Sequence, residues 1–127
     1  MAQDPQFTAT PKVGKAKLTA ANPNRDGTGT IVSGFAAGAN GSRVEYAVVK
    51  ASVSTTAGMV RVFVHDGTTA DLLTEIPVNP VNVAANTPAF ETITTFLNGM
   101  VLPPGYSLRF STEKAEAITV TCFGGDF

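Results

Sequence analysis

With 127 residues the chain is long enough for one domain with a core of its own and short for two. Its charged content of 15% lies below the ~25% usual for globular domains, its hydrophobic content is 43%, and it carries no Trp, so a Thr-, Ala-, Val- and Gly-rich composition points to β structure with many turns. A net charge of −1 excludes a global nucleic-acid footprint, but four cations (Lys12, Lys15, Lys17, Arg25) against Asp4 give the first 25 residues +3 and leave −4 for the rest.

Residues 1–12, with Pro5 and Pro11 and little apolar content, read as an extended N-terminal arm, and 13–127 as a single β-sandwich domain. The first strand-like run lies near 13–21, where Ala16, Leu18 and Ala20 oppose Lys15, Lys17 and Thr19. The segment 22–27 turns the chain, a second run follows near 28–36, and Asn40-Gly41 makes a second turn. The long run near 43–54 changes phase. Val44, Tyr46 and Val48 share one face, whereas Val49, Ala51 and Val53 share the other, which calls for burial on both sides or a bulge near Val48–Val49.

Gly58 begins a fourth run in which Val60, Val62 and Val64 alternate with Arg61, Phe63 and His65, closed by Asp66-Gly67. In the fifth, 71–79, Leu72, Ile76 and Val78 share a face, and Pro77 and Pro80 require an edge or terminating strand. After a loop at 80–88, a sixth run over 89–97 is stopped by Asn98-Gly99. Pro103-Pro104-Gly105 leads into a strand with Tyr106, Leu108 and Phe110 inward and Ser107, Arg109 and Ser111 outward. The stretch 112–117 is too short to hold a helix and reads as a loop. Ile118, Val120 and Cys122 then alternate with Thr119 and Thr121. About eight strands at this spacing indicate an all-β, antiparallel, jelly-roll-like sandwich.

The sequence offers no recognisable catalytic residue, cofactor site or metal ligand set. Asn22-Pro-Asn24-Arg-Asp26-Gly27 resembles the start of a calcium loop, but its first position is Asn and its twelfth is Ser33 rather than Glu, so it reads as a turn. His65 is the sole histidine, its neighbour Asp66 points to the opposite face, and no Gly-x-Ser-x-Gly elbow supports a nucleophile. The single cysteine, Cys122, precludes an internal disulfide and falls on an apolar strand face as a buried thiol. The start has no signal-peptide pattern, and no apolar run is long enough to span a membrane.

Several segments resemble the small jelly-roll proteins that decorate, or cement, the heads of tailed bacteriophages: Val60-Arg-Val-Phe-Val-His-Asp-Gly67, Leu72-Leu-Thr-Glu-Ile-Pro-Val78, Leu102-Pro-Pro-Gly-Tyr-Ser-Leu-Arg109 and Phe123-Gly-Gly-Asp-Phe127. The resemblance covers roughly 43–127. It implies a non-enzymatic structural protein on the outer capsid surface of a virion, without cofactor. It further implies binding across phage major capsid protein subunits, often as a homotrimer, with no membrane or direct nucleic-acid partner. Lys12, Lys15 and Lys17 are the candidate capsid-contact residues, suited to an acidic partner patch. The alternative implied by similar domains is a head-fibre or tail module that binds host-surface glycans.

Overall fold

The structure, a computed structural model, describes residues 7–127, with backbone alone at 96–98. Eight strands follow one another: β1 (Thr10–Leu18), β2 (Val32–Ala36), β3 (Ser42–Ala51), β4 (Gly58–His65), β5 (Ala70–Val78), β6 (Glu91–Leu102), β7 (Ser107–Thr112) and β8 (Ile118–Asp126). They form two four-stranded sheets, β1-β8-β3-β6 and β2-β7-β4-β5. All strand pairings are antiparallel. Strand β4 pairs with β5, β3 with β6, β2 with β7 and β1 with β8, so the chain is one long hairpin rolled into a jelly-roll-like sandwich.

Alternation explains the core. Ala16 and Leu18 of β1, Val60 and Val62 of β4, Leu108 and Phe110 of β7, and Ile118, Val120 and Cys122 of β8 are all buried between the sheets, as their period-2 placement predicts. The sheets approach most closely along β1 and β2. A Cβ on Gly14 would lie 2.0 Å from the carbonyl oxygen of Gly34, so glycine is what lets these two backbones touch. Pro77 lies on β5, an edge strand of its sheet, where its missing N–H costs no ladder bond.

Four expectations are corrected. Strand β1 begins at Thr10 and pairs with β8 from there, so residues 10–12 belong to the sheet rather than to an arm; residues 1–6 lie outside the described residues. That strand also stops at Leu18, and Ala20 is exposed. The bulge in β3 falls between Val44 and Tyr46, not at Val48–Val49. Val44, Ala47, Val49 and Ala51 are therefore core, and Tyr46 and Val48 turn outward. Finally, Asn98-Gly99 does not end the sixth strand. Strand β6 runs on to Leu102, with Thr95 opposite Tyr46 and Met100 opposite Val44, so 96–99 form a wide bulge that contains Gly99 at φ 91°.

The loop 19–31 decides what the second sheet shows to solvent. It leaves β1 beside Thr112, where the Asn22 N–H donates to the Thr112 carbonyl, and reaches Gly27, packed against the Ala70 carbonyl at the other end of the sheet. Underneath it the outward-facing Arg61 and Phe63 are almost wholly buried. Asn22 pins the loop: its Nδ2 donates to the carbonyls of Thr28 and Thr30, both at 3.0 Å, and its Oδ1 accepts from the Asn24 N–H.

Candidate interaction surface

The three lysines singled out from the sequence do not act together. Lys15 and Lys17 point out from β1, exposed and with no acidic partner among the described residues. Lys12 lies on the opposite side of the same strand, two residues before Gly14 in the inward register. Its Nζ lies 3.1 Å from Asp126 Oδ1 and 5.0 Å from the centroid of the Phe35 ring, and it also donates to the Ala36 carbonyl. Asp126 in turn accepts from the Ser42 hydroxyl, which accepts from the Gly38 N–H. The hydrogen bond from Ser42, followed by Lys12, holds the Asp126 carboxyl below its ordinary pKa. Lys12 is thus part of an internal clamp, and Lys15 and Lys17 remain as candidate contacts.

These two lysines flank an apolar field on the outer face of the first sheet. The strand register places Val13, Phe123, Tyr46 and Thr95 in one row across the four strands, and Lys15, Thr121, Val48 and Ile93 in the next. Tyr46 and Phe123 stack with ring centroids 4.9 Å apart. Val13 is 63% exposed, Ile93 61% and Val101, on the same face of β6, 55%. Apolar side chains gathered in neighbouring rows of a sheet face are unusual for a surface that meets only water, because scattered rather than clustered ones are the norm there. Plain alternation puts Tyr46 on the same face as Val44, which is core. The signal that could have corrected it is the phase change along 43–54, which a bulge between Val44 and Tyr46 resolves as well as one at Val48–Val49.

At the opposite face, the tip of the loop 19–31 and the turn 66–69 enclose a half-open polar hollow of about 210 Å³ lined by Gly27, Gly29, Ile31, His65, Thr68, Ala70 and Arg109. His65 on β4 and Arg109 on β7 both face outward and are diagonal neighbours, since His65 pairs with Ser107 and Phe63 with Arg109. His65 Nδ1 accepts the Gly67 N–H at 3.0 Å, and Arg109 Nε donates to Ser107 Oγ at 3.2 Å. Asp66 is turned into its own turn, where it accepts from the N–H groups of Thr68 and Thr69, and these bonds lower its pKa.

The remaining sequence candidates are engaged structurally. In the calcium-like segment, Asp26 accepts from the Thr28 hydroxyl and N–H, which lowers its pKa, and Asn24 Nδ2 donates to the Thr28 hydroxyl. Among the described residues no cluster of three or more His, Cys, Asp or Glu is placed to hold a metal ion. Burial pushes the Cys122 thiol up to about 12, so it is a poor nucleophile where it stands. Among the described residues no helix is long and apolar enough to cross a membrane. No protein-family model matches the chain, and no curated protein matches it.

Proposed function

We propose that this chain is a non-enzymatic structural protein of a tailed-phage virion that decorates the outer capsid surface by docking on major capsid protein subunits. The observation that carries the reading is the outer face of the first sheet, where exposed Val13, Ile93 and Val101 and the Tyr46–Phe123 stack lie beside Lys15 and Lys17, which have no acidic partner among the described residues. Apolar area of this kind supplies affinity at the centre of an interface, and rim charges set orientation and encounter rate against an acidic patch. The jelly-roll-like sandwich and the segments that resemble head-decoration proteins support the same reading. Assembly as a homotrimer would let three modest contacts act together through avidity.

The test is co-sedimentation of the purified protein with heads of the encoding phage prepared without it. Saturable binding at micromolar concentration, weakened by added salt, is the expected result. Absence of binding to such heads would overturn the reading.

A further inference from the structure

We propose that the hollow between the tip of the loop 19–31 and the turn 66–69 binds an oxyanion, a carboxylate, sulfate or phosphate, carried on a ligand no larger than a single sugar ring. The inference goes beyond the capsid reading and uses none of the residues on the outer face of the first sheet.

The lining supplies donors for an anion and no competing acid. Arg109 is the decisive residue. The other cations that fold into this side of the sandwich are matched with carboxylates: Arg61 lies 3.0 Å from Glu75, and Arg25 lies 2.8 Å from the same Glu75 oxygen. Among the described residues no carboxylate pairs with Arg109. Its Nε is occupied by Ser107 Oγ, which fixes the plane of the guanidinium and leaves both Nη groups for a ligand. A planar fork of this type favours bidentate contact with an oxyanion.

His65 adds a second donor. Because its Nδ1 accepts the Gly67 N–H, the neutral ring carries its proton on Nε2. Diagonal strand neighbours have backbones only ~7–8 Å apart, so two such side chains lie within reach of one ligand. Thr68 belongs to the same lining. The nearby carboxylates of Asp26 and Asp66 are held in their own turns by Thr28, Thr68 and Thr69, and neither lines the hollow.

Shape limits the ligand. A volume of about 210 Å³ falls short of the ~300–1,000 Å³ of sites for drug-sized molecules. Gly27 and Gly29, both at φ 86°, keep the loop wall free of side chains. A Cβ at Gly27 would strike the Ala70 carbonyl oxygen at 2.4 Å, so the wall cannot be rebuilt with a larger residue without lifting the loop.

The experiment is an amide chemical-shift titration of the whole protein at constant ionic strength. The ligands are inorganic phosphate, inorganic sulfate, glucuronate and N-acetylneuraminate, with glucose and chloride as controls. Saturable shifts at Gly27, Gly29, Thr68 and Ala70 with a millimolar Kd are expected for the oxyanions, and none for the controls. Saturation by phosphate or sulfate identifies a bare-oxyanion site; saturation by the acidic sugars alone identifies a carboxylated saccharide as the ligand. Arg109→Gln should weaken binding about tenfold or more, and His65→Gln should weaken it less. Both variants are checked for an otherwise unchanged amide spectrum. The proposal is overturned if no oxyanion gives saturable shifts, or if the shifts persist at the same Kd in both variants.

Discussion

Asp126 shows how much a single side chain can organise in this fold. Its carboxylate joins the first and last strands and the β2–β3 turn through Lys12, Ser42 and, behind Ser42, the Gly38 N–H. Lys12 and Asp126 are 114 residues apart, so the contact closes the whole domain. The carboxyl's folded pKa is lower than its unfolded one, as are those of Asp26, Asp66 and Glu75. A lowered carboxyl pKa stabilises the fold above the unfolded value and loses that contribution as pH falls through the folded one. Urea unfolding should therefore give a stability that is flat near neutrality and declines below about pH 4. Asp126→Asn should be less stable than the parent at neutral pH and should lose less on acidification. An equal acid-induced loss in both proteins would exclude Asp126 from the effect. None of this was legible in the sequence: Lys12 looked like a free arm lysine because its partner is 114 positions away and nothing local marks it.

Among the elements, the strands were readable and the loop that covers them was not. Inward alternation in β4, β7 and β8 follows from side-chain period alone, and Pro77 marks an edge by its missing donor. The loop 19–31 is different, because its placement rests on non-local bonds. Arg61 reaches the Asn22 carbonyl at 3.3 Å and Glu75 at 3.0 Å, and Arg25 reaches Glu75 from the loop itself. This is why Arg61 and Phe63, on a face that alternation assigns to solvent, are buried. The hollow beside His65 and Arg109 is a product of that loop, so sequence could place both residues outward but could not bring them to one wall. Asn22 is where the loop is most exposed to failure. Asn22→Ala would leave two carbonyls and one N–H without partners, at a cost of about 1–3 kcal/mol. A lower urea midpoint with faster tryptic cleavage after Arg25 is expected. A midpoint shift without faster cleavage would mean that Asn22 supports the sheet rather than the loop.

For the molecule as a whole, the two outer faces are treated unequally: one is covered by its own loop, and the other carries an apolar field. If the open face is the docking face, Val13→Asp combined with Ile93→Asp should change unfolding free energy by no more than about 1 kcal/mol, since both side chains are already exposed. The same double variant should lose head binding in co-sedimentation, and retained binding would move the contact elsewhere. The nested pairing of strands also has a consequence for biosynthesis. Strand β8 lies between β1 and β3, so the first sheet lacks a middle until residues 118–126 have left the ribosome. Until then β1 has no partner in its sheet and β3, paired with β6 on one side, leaves its other edge open, the kind of surface that recruits a neighbouring chain. Sandwiches built on such distant pairings fold in milliseconds to seconds rather than microseconds. Slower elongation between β3 and β8 would lengthen the interval in which those edges stand open rather than help folding.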